Sequence, residues 1–400
     1  MKTLYVETTP ARFLAVKALR GLWPGVLWSR LSTLQYQEMT PPAPPAGWVH
    51  VKNHQGGICG SDLHLIFLDA DLGVHPALLP GSTRKYLGHE LVGHVLDAPP
   101  DSGFKPGDRV IRQMRTGGGS CLAHGLDPCG FCRAGHYHQC ERTGLQDSIG
   151  GGLSDELFIP AGGLMAVPDD LADAQAVLVE PAACAIHGVL RAPPGPGESV
   201  LVYGAGTIAY FVLQVLRIVC PDCRITAIAE FPFQEDMARR CGADEVWLAR
   251  DDLLARTAER TGGRVVTGRA NRRTLLGGFD RIYDCVGVAA TLGLSLRLAR
   301  ARGTVILIGV TLKPLTLDMT PVWYNEVNLM GSVSFAAEEW RGERIRDYDL
   351  AIRWMREGRL KPEGFVTHRL PLERYREAIL AAVRKASSRS VKVVLEMGQG

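Results

Sequence analysis

Apolar spacing divides this chain into two kinds of territory. Between residues 200 and 310, short unbroken apolar runs alternate with stretches of helical spacing, the pattern of buried parallel strands joined by crossover helices. Val200-Leu201-Val202-Tyr203 is the clearest run, and it leads into an apolar helix expected from Tyr210 to Val219. Further strands are expected at residues 224–229, 281–285, 304–308 and 329–335, with a helix at 234–240. Before residue 115 the runs alternate instead, at 3–6, 47–51, 93–96 and 108–111, and turn pairs such as Pro106-Gly107 separate them. That is a β-rich start. Helical spacing covers 171–177 and 182–190, and Pro193-Pro194-Gly195-Pro196-Gly197 breaks the chain soon afterwards. Past residue 336 the pattern predicts helices at 347–357 and 371–386 and a strand at 391–395. The whole reads as an α/β protein with a parallel sheet beside a β-rich domain.

Composition narrows the function classes. Hydrophobic residues make up 46% of the 400 and charged residues 22%, an ordinary globular balance. A net charge of +3 is too small and too dispersed to argue for nucleic acid, and the densest basic run, Arg269 to Arg273, reads as a solvated loop. The longest apolar stretch, 200–219, holds Gly204, Gly206, Gln214 and Arg217, so it reads as strand plus helix and not as a membrane span. No secretory signal is visible at the start. Ten cysteines, several at metal-ligand spacing, point to reduced thiols and a cytoplasmic setting.

Candidate chemistry begins at Gly57-Ile58-Cys59-Gly60-Ser61-Asp62-Leu63-His64 and Gly88-His89-Glu90. A thiolate, an imidazole and a carboxylate form a mixed donor set that suits zinc better than calcium, magnesium or an iron–sulfur cluster. Residues 117–152 form a long loop rich in glycine and cysteine. In it, Cys129, Cys132 and Cys140 have the spacing of a closed tetrahedral zinc site. Cys121 is the expected fourth ligand, with Asp127 or His124 as substitutes. Glu180, between apolar residues and Pro181, is costly to bury alone and reads as a further metal ligand, a metal-adjacent base or a helix cap. Gly204-Ala205-Gly206-Thr207-Ile208-Ala209 sits between strand and helix as a dinucleotide fingerprint. Gly204 would make the tight turn, Gly206 would admit the pyrophosphate and Ala209 would permit close helix packing. Glu230, about twenty residues on, is placed to bind ribose hydroxyls and favours NAD over NADP, although Ala229 is the alternative at that register.

Taken in order, these motifs, with Cys129-x2-Cys132-x7-Cys140 and Glu180-Pro181, resemble the zinc-dependent medium-chain dehydrogenases, in particular the alcohol, polyol, threonine and glucose dehydrogenase branches. The resemblance implies a GroES-like catalytic domain (1–184), a Rossmann dinucleotide-binding domain (185–336) and a C-terminal return to the catalytic domain (337–400), with the active site in the cleft. It implies that Cys59, His89, Glu90 and Glu180 serve a catalytic zinc and that Ser61 and His64 relay the proton. The expected activity is hydride transfer between an alcohol-, polyol- or sugar-type hydroxyl, or its carbonyl product, and NAD, with NADP possible. No nucleic acid or membrane partner is expected, and fold analogy suggests a homodimer or homotetramer. Leu126 stands where the family's structural zinc site has its first cysteine, so either Cys121 reaches in or that site is weakened. The competing readings are an NADPH-dependent carbonyl reductase and a catalytically silent zinc- or nucleotide-binding protein. Substrate-facing side chains are expected from loops at 65–80 and 114–120.

Overall fold

A computed structural model describes residues 1–71, 84–113, 121–142 and 145–398. The expected substrate loops therefore lie largely outside the described residues. The chain divides into two compact units. One holds Met1–Glu180 with Pro362–Gly400, and the other holds Pro181–Lys361. The return crossing falls later than the expected 336/337. The reason is the helix Asp347–Arg356, which buries Tyr348, Leu350, Ala351 and Trp354 within the second unit.

The first unit is built on a seven-stranded sheet. Its spine is the long strand Trp48–Gly57, flanked by Glu90–Asp97 on one edge. On the other edge Trp48–Lys52 pairs with Glu156–Pro160, and Gln55–Gly57 pairs with Lys392–Glu396. The strand Lys392–Glu396 thus returns from late in the sequence to lie beside the strand that leads into Cys59. Arg109–Arg112 and Leu164–Ala166 extend one side, and Val366–Pro371 extends the other. Val49, Val51, Leu91, Val95 and Val110 point from alternate positions into one apolar cluster, as the period of a half-buried sheet requires. A smaller sheet orders Leu34–Glu38, Lys2–Glu7 and Arg84–Tyr86.

Two N-terminal features were not foreseen. Pro10–Leu19 is a helix and Pro24–Trp28 a 3-10 turn, and Val16 and Val26 close on Leu68. Residues 371–386 are not one helix. Val366–Pro371 is a strand, Leu372–Arg374 a 3-10 turn, and helix runs from Tyr375 to Val383. Pro371 has no N–H for a helix interior and suits the strand end.

The second unit carries a six-stranded, all-parallel sheet. Its order is Glu245–Leu248, Arg224–Ala229, Ser199–Tyr203, Phe279–Asp284, Ala299–Leu307 and Asn328–Gly331. Chain order reverses between Ser199–Tyr203 and Phe279–Asp284, the point at which such sheets receive a dinucleotide. Helix Thr207–Val219 has nine of its thirteen residues buried, too many for a surface helix, and it packs against the sheet as a crossover. Two antiparallel hairpins, Arg264–Thr267 with Arg273–Leu276 and Ala337–Trp340 with Glu343–Arg346, interrupt the α/β alternation. The basic run at Arg269 forms the exposed tip of the first. While the cysteines at metal-ligand spacing are free thiols, Cys220 and Cys223, which are not among them, are joined by a disulfide. Their Cα atoms are 5.6 Å apart across the turn after helix Thr207–Val219, within bonding range. Among the described residues no helix is long and apolar enough to cross a membrane.

Candidate active site and metal centres

Strand pairing assembles the first cluster. Gly57 pairs with Glu90 on one side and with Val394 on the other. Cys59, two residues beyond Gly57, caps helix Gly60–Ile66, while His89 directly precedes strand Glu90–Asp97. Donor atoms of Cys59, His89 and Glu90 therefore converge within 4.8 Å of one another. Gly57 must be glycine here, because a Cβ would stand 2.3 Å from Glu90 Oε2. Gly88 has φ +83°, and a Cβ there would meet the Leu153 backbone nitrogen at 2.6 Å.

Asp62 fixes the two loops relative to each other. One of its carboxylate oxygens accepts from the Cys59 N–H at 3.0 Å, and the other accepts from the Gly88 N–H at 3.0 Å. Only 3% of Asp62 is exposed. The sequence reading quoted this residue without giving it a role. Its signal was an acid three residues past a helix N-cap, the capping-box position.

Glu90 is held on its far side by Lys392. The ammonium lies 2.6 Å and 2.7 Å from the two carboxylate oxygens and also reaches the Ile58 carbonyl at 3.3 Å. Burial alone would lower the lysine's pKa, but the attraction of Glu90 and Cys59 outweighs it and raises the pKa. Both Glu90 oxygens accept from Lys392, so Glu90 is at once a member of the donor group and the charge partner of Lys392. Burial would likewise lower His89, yet the Cys59 sulfur, followed by Glu180 and Asp62, raises it to about 10. Glu180 is 5% exposed and acts on both His89 and Lys392, but it is not in the 4.8 Å donor group. Ser61 and His64 lie on the helix that Cys59 caps, and His64 Nδ1 is 3.1 Å from an Asp69 carboxylate oxygen.

The second cluster joins Cys121, Cys129, Cys132 and Cys140, whose sulfurs lie within 4.8 Å of one another. Cys121 reaches in from a turn five residues before Leu126, which is exposed. Tetrahedral zinc with Zn–S near 2.3 Å requires sulfurs about 3.8 Å apart. The observed Cys121–Cys140 and Cys129–Cys140 separations are 3.6 Å and 4.0 Å, so the four residues fit such an ion. Backbone N–H groups near Glu141 and Cys132 lower Cys129 to about 6, whereas burial raises Cys132 and Cys140. Cys132→Ser is expected to cost one zinc per chain and to lower the thermal midpoint while leaving NAD binding unchanged, as metal analysis and calorimetry would show. An unchanged zinc count would remove this site.

In the second unit, Gly204 adopts φ +117° where strand Ser199–Tyr203 ends, and its N–H bonds the Ile228 carbonyl at 2.9 Å. Gly206 caps helix Thr207–Val219, and Ala209 is buried beneath it. A helix N-terminus with free N–H groups suits a pyrophosphate. Glu230 is the first exposed residue past strand Arg224–Ala229, whereas Ala229 is buried. Gln234, also missed in the sequence, ties these parts together. Its Nε2 donates to the Ala205 carbonyl at 2.7 Å, and its Oε1 accepts from the N–H groups of Glu230 and Phe231 at 3.1 Å and 3.0 Å. Arg239 donates to the Asp244 carbonyl and Arg240 to the Met237 sulfur, both at 3.4 Å.

Two domain families match the chain, together over more than half of it. Residues 45–169 match the alcohol dehydrogenase GroES-like domain, and residues 208–346 match the zinc-binding dehydrogenase. D-arabinitol dehydrogenase 1 of Uromyces fabae is 26% identical over 85% of this chain and 87% of its own. L-threonine 3-dehydrogenase of Anaeromyxobacter sp. (strain K) is 28% identical over 89% of this chain and 94% of its own. The crystal structure of 2R,3R-butanediol dehydrogenase from Bacillus subtilis superposes with a TM-score of 0.69 at 24% identity, covering 91% of this chain and 96% of that one.

Proposed function

Since the chain belongs to the zinc-dependent medium-chain dehydrogenase superfamily, an oxidoreductase lineage that works with zinc and a nicotinamide cofactor, we propose that it oxidises a secondary hydroxyl of a polyol- or sugar-type alcohol, reversibly, with NAD. The observation that carries this reading is the convergence of Cys59 and His89 on one point beside Glu90, with Glu180 facing the same charges. Cys59 and His89 are the residues that would hold the zinc, with Glu90 in the same donor group and Glu180 as a further carboxylate that acts on His89. When bound there, zinc supplies Lewis acidity that lowers the pKa of the substrate hydroxyl.

The chain's own residues do the rest. Ser61, in the first turn beside Cys59, accepts the hydroxyl proton and passes it toward His64 and solvent. Asp69, against His64 Nδ1, sets the imidazole's orientation. Asp62 keeps Cys59 and His89 in register through the backbone N–H groups it holds. Gly204, Gly206 and Ala209 receive the dinucleotide, and Glu230 accepts from its ribose. Held by those residues, NAD would supply the hydride acceptor, and the protein its orientation.

The test is NADH formation from a panel of polyols, vicinal diols and sugar alcohols, before and after zinc is removed by a chelator and restored. Oxidation that survives complete removal of zinc would sink the reading. Glu230→Ala is expected to raise the KM for NAD roughly 10-fold or more and to bring NADP turnover up, since a hydrogen bond to a charged group contributes about 1.5–3 kcal/mol. Steady-state kinetics with both cofactors checks this, and an unchanged KM would place the ribose elsewhere.

A further inference from the structure

The second unit contains a cluster that neither the motifs nor the proposed reaction uses. His187 lies on helix Val179–Leu190, Glu338 on the hairpin strand Ala337–Trp340, and Asp347 at the start of helix Asp347–Arg356. One donor atom from each falls within 4.8 Å of the other two. His187 Nδ1 is 2.6 Å from Glu338 Oε1 and 3.8 Å from Asp347 Oδ2. His187 is 6% exposed and Asp347 0%.

Asp347 is the informative member. Its Oδ2 accepts from the Ala336 N–H at 2.7 Å, but among the described residues its Oδ1 has no hydrogen-bond partner. A fully buried carboxylate with an orphaned oxygen is expensive. Burial raises its pKa well above the usual carboxylate range, and neighbouring Glu338 adds to this. A cation between the three groups would offset the repulsion of the two acids.

We propose that His187, Glu338 and Asp347 form an additional binding site for a divalent transition cation, zinc foremost, separate from both cysteine-containing clusters. One imidazole and two carboxylates make a borderline donor set, which favours zinc, cobalt or manganese over calcium. Metal–ligand bonds near 2.0–2.2 Å place ligand atoms about 2.9–3.5 Å apart. The separations of 2.6 Å and 3.8 Å lie just below and just above that range, so small side-chain adjustments close the site. The ion would staple the base of the hairpin, where the Ala336 and Asp347 backbones bond each other, to helix Val179–Leu190. This proposal does not depend on the reaction above.

The test compares full-length wild type with Asp347→Asn and Glu338→Gln after zinc loading and dialysis. Each variant is expected to hold one metal equivalent fewer than wild type, with NAD binding unchanged. Zinc should raise the thermal midpoint of chelated wild type by an increment that Asp347→Asn reduces. With cobalt in place of zinc, the wild-type minus Asp347→Asn spectrum should show d–d bands without thiolate-to-metal charge transfer, which separates this site from the cysteine sites. Equal metal content in all three proteins would overturn the proposal. So would an Asp347→Asn protein of raised midpoint beside a wild type with the same zinc response, which would mark the cluster as a shared-proton contact only.

Discussion

Cys59→Ser is expected to abolish alcohol oxidation while NAD still binds with unchanged affinity. The two effects separate because Cys59 has two jobs. Its sulfur is a donor of the first cluster, and its backbone opens helix Gly60–Ile66. Serine is a favoured helix N-cap, and the Cys59 N–H bond to Asp62 comes from the backbone, so the local fold should persist. What is lost is the soft ligand. Lewis-acid catalysis supplies several kcal/mol, and each 1.36 kcal/mol is tenfold in rate, so kcat/KM should fall on the order of 1,000-fold or more. Metal analysis should show one zinc fewer per chain. Normal turnover by this variant would refute the assignment of the catalytic metal to Cys59 and His89.

The largest effect on stability is expected from Lys392→Met. Lys392 and Glu90 have side chains only 6% and 1% exposed, and each answers the other's charge. Removing one partner leaves a buried charge unanswered, which costs about 3–5 kcal/mol. The double variant Glu90→Gln with Lys392→Met removes both charges and should recover most of that loss. Chemical denaturation of wild type, both single variants and the double variant checks the prediction. A Lys392→Met protein as stable as wild type would mean that Glu90 is neutral or wetted in the fold. Asp62→Ala is expected to be milder for stability but harmful to turnover, because it frees the backbones of Cys59 and Gly88 together.

The parallel sheet and its fingerprint were legible because buried parallel strands read as unbroken apolar runs bounded by glycine. Candidate metal-binding residues stood out because few side chains can serve as ligands. Cys121 lies with Cys129, Cys132 and Cys140 despite Leu126, since a turn can carry a cysteine to a position that strict spacing leaves open. Asp62, Gln234 and Lys392 were not assigned roles. Each acts through partners set by tertiary pairing, such as the bond from Lys392 to a residue 302 positions away. Helix Pro10–Leu19 was missed because its apolar stripe is weak and is answered by Val26 and the distant Leu68. The His187 cluster left no trace in spacing, because its members come from two helices and a hairpin.

That 302-residue separation has a consequence for how the protein comes into being on the ribosome. Cys59, His89 and Glu90 emerge close together in synthesis, but the cation that answers Glu90 does not. At about 5–20 residues per second, Lys392 follows Glu90 by roughly 15–60 s. During that interval the strand Trp48–Gly57 also lacks its partner Lys392–Glu396, and the entire nucleotide-side unit is made meanwhile. The surroundings of Cys59 and His89 are therefore complete only once Lys392 has been made, so a chain cut short before that strand carries both residues, and Glu90, without the cation that answers the Glu90 carboxylate.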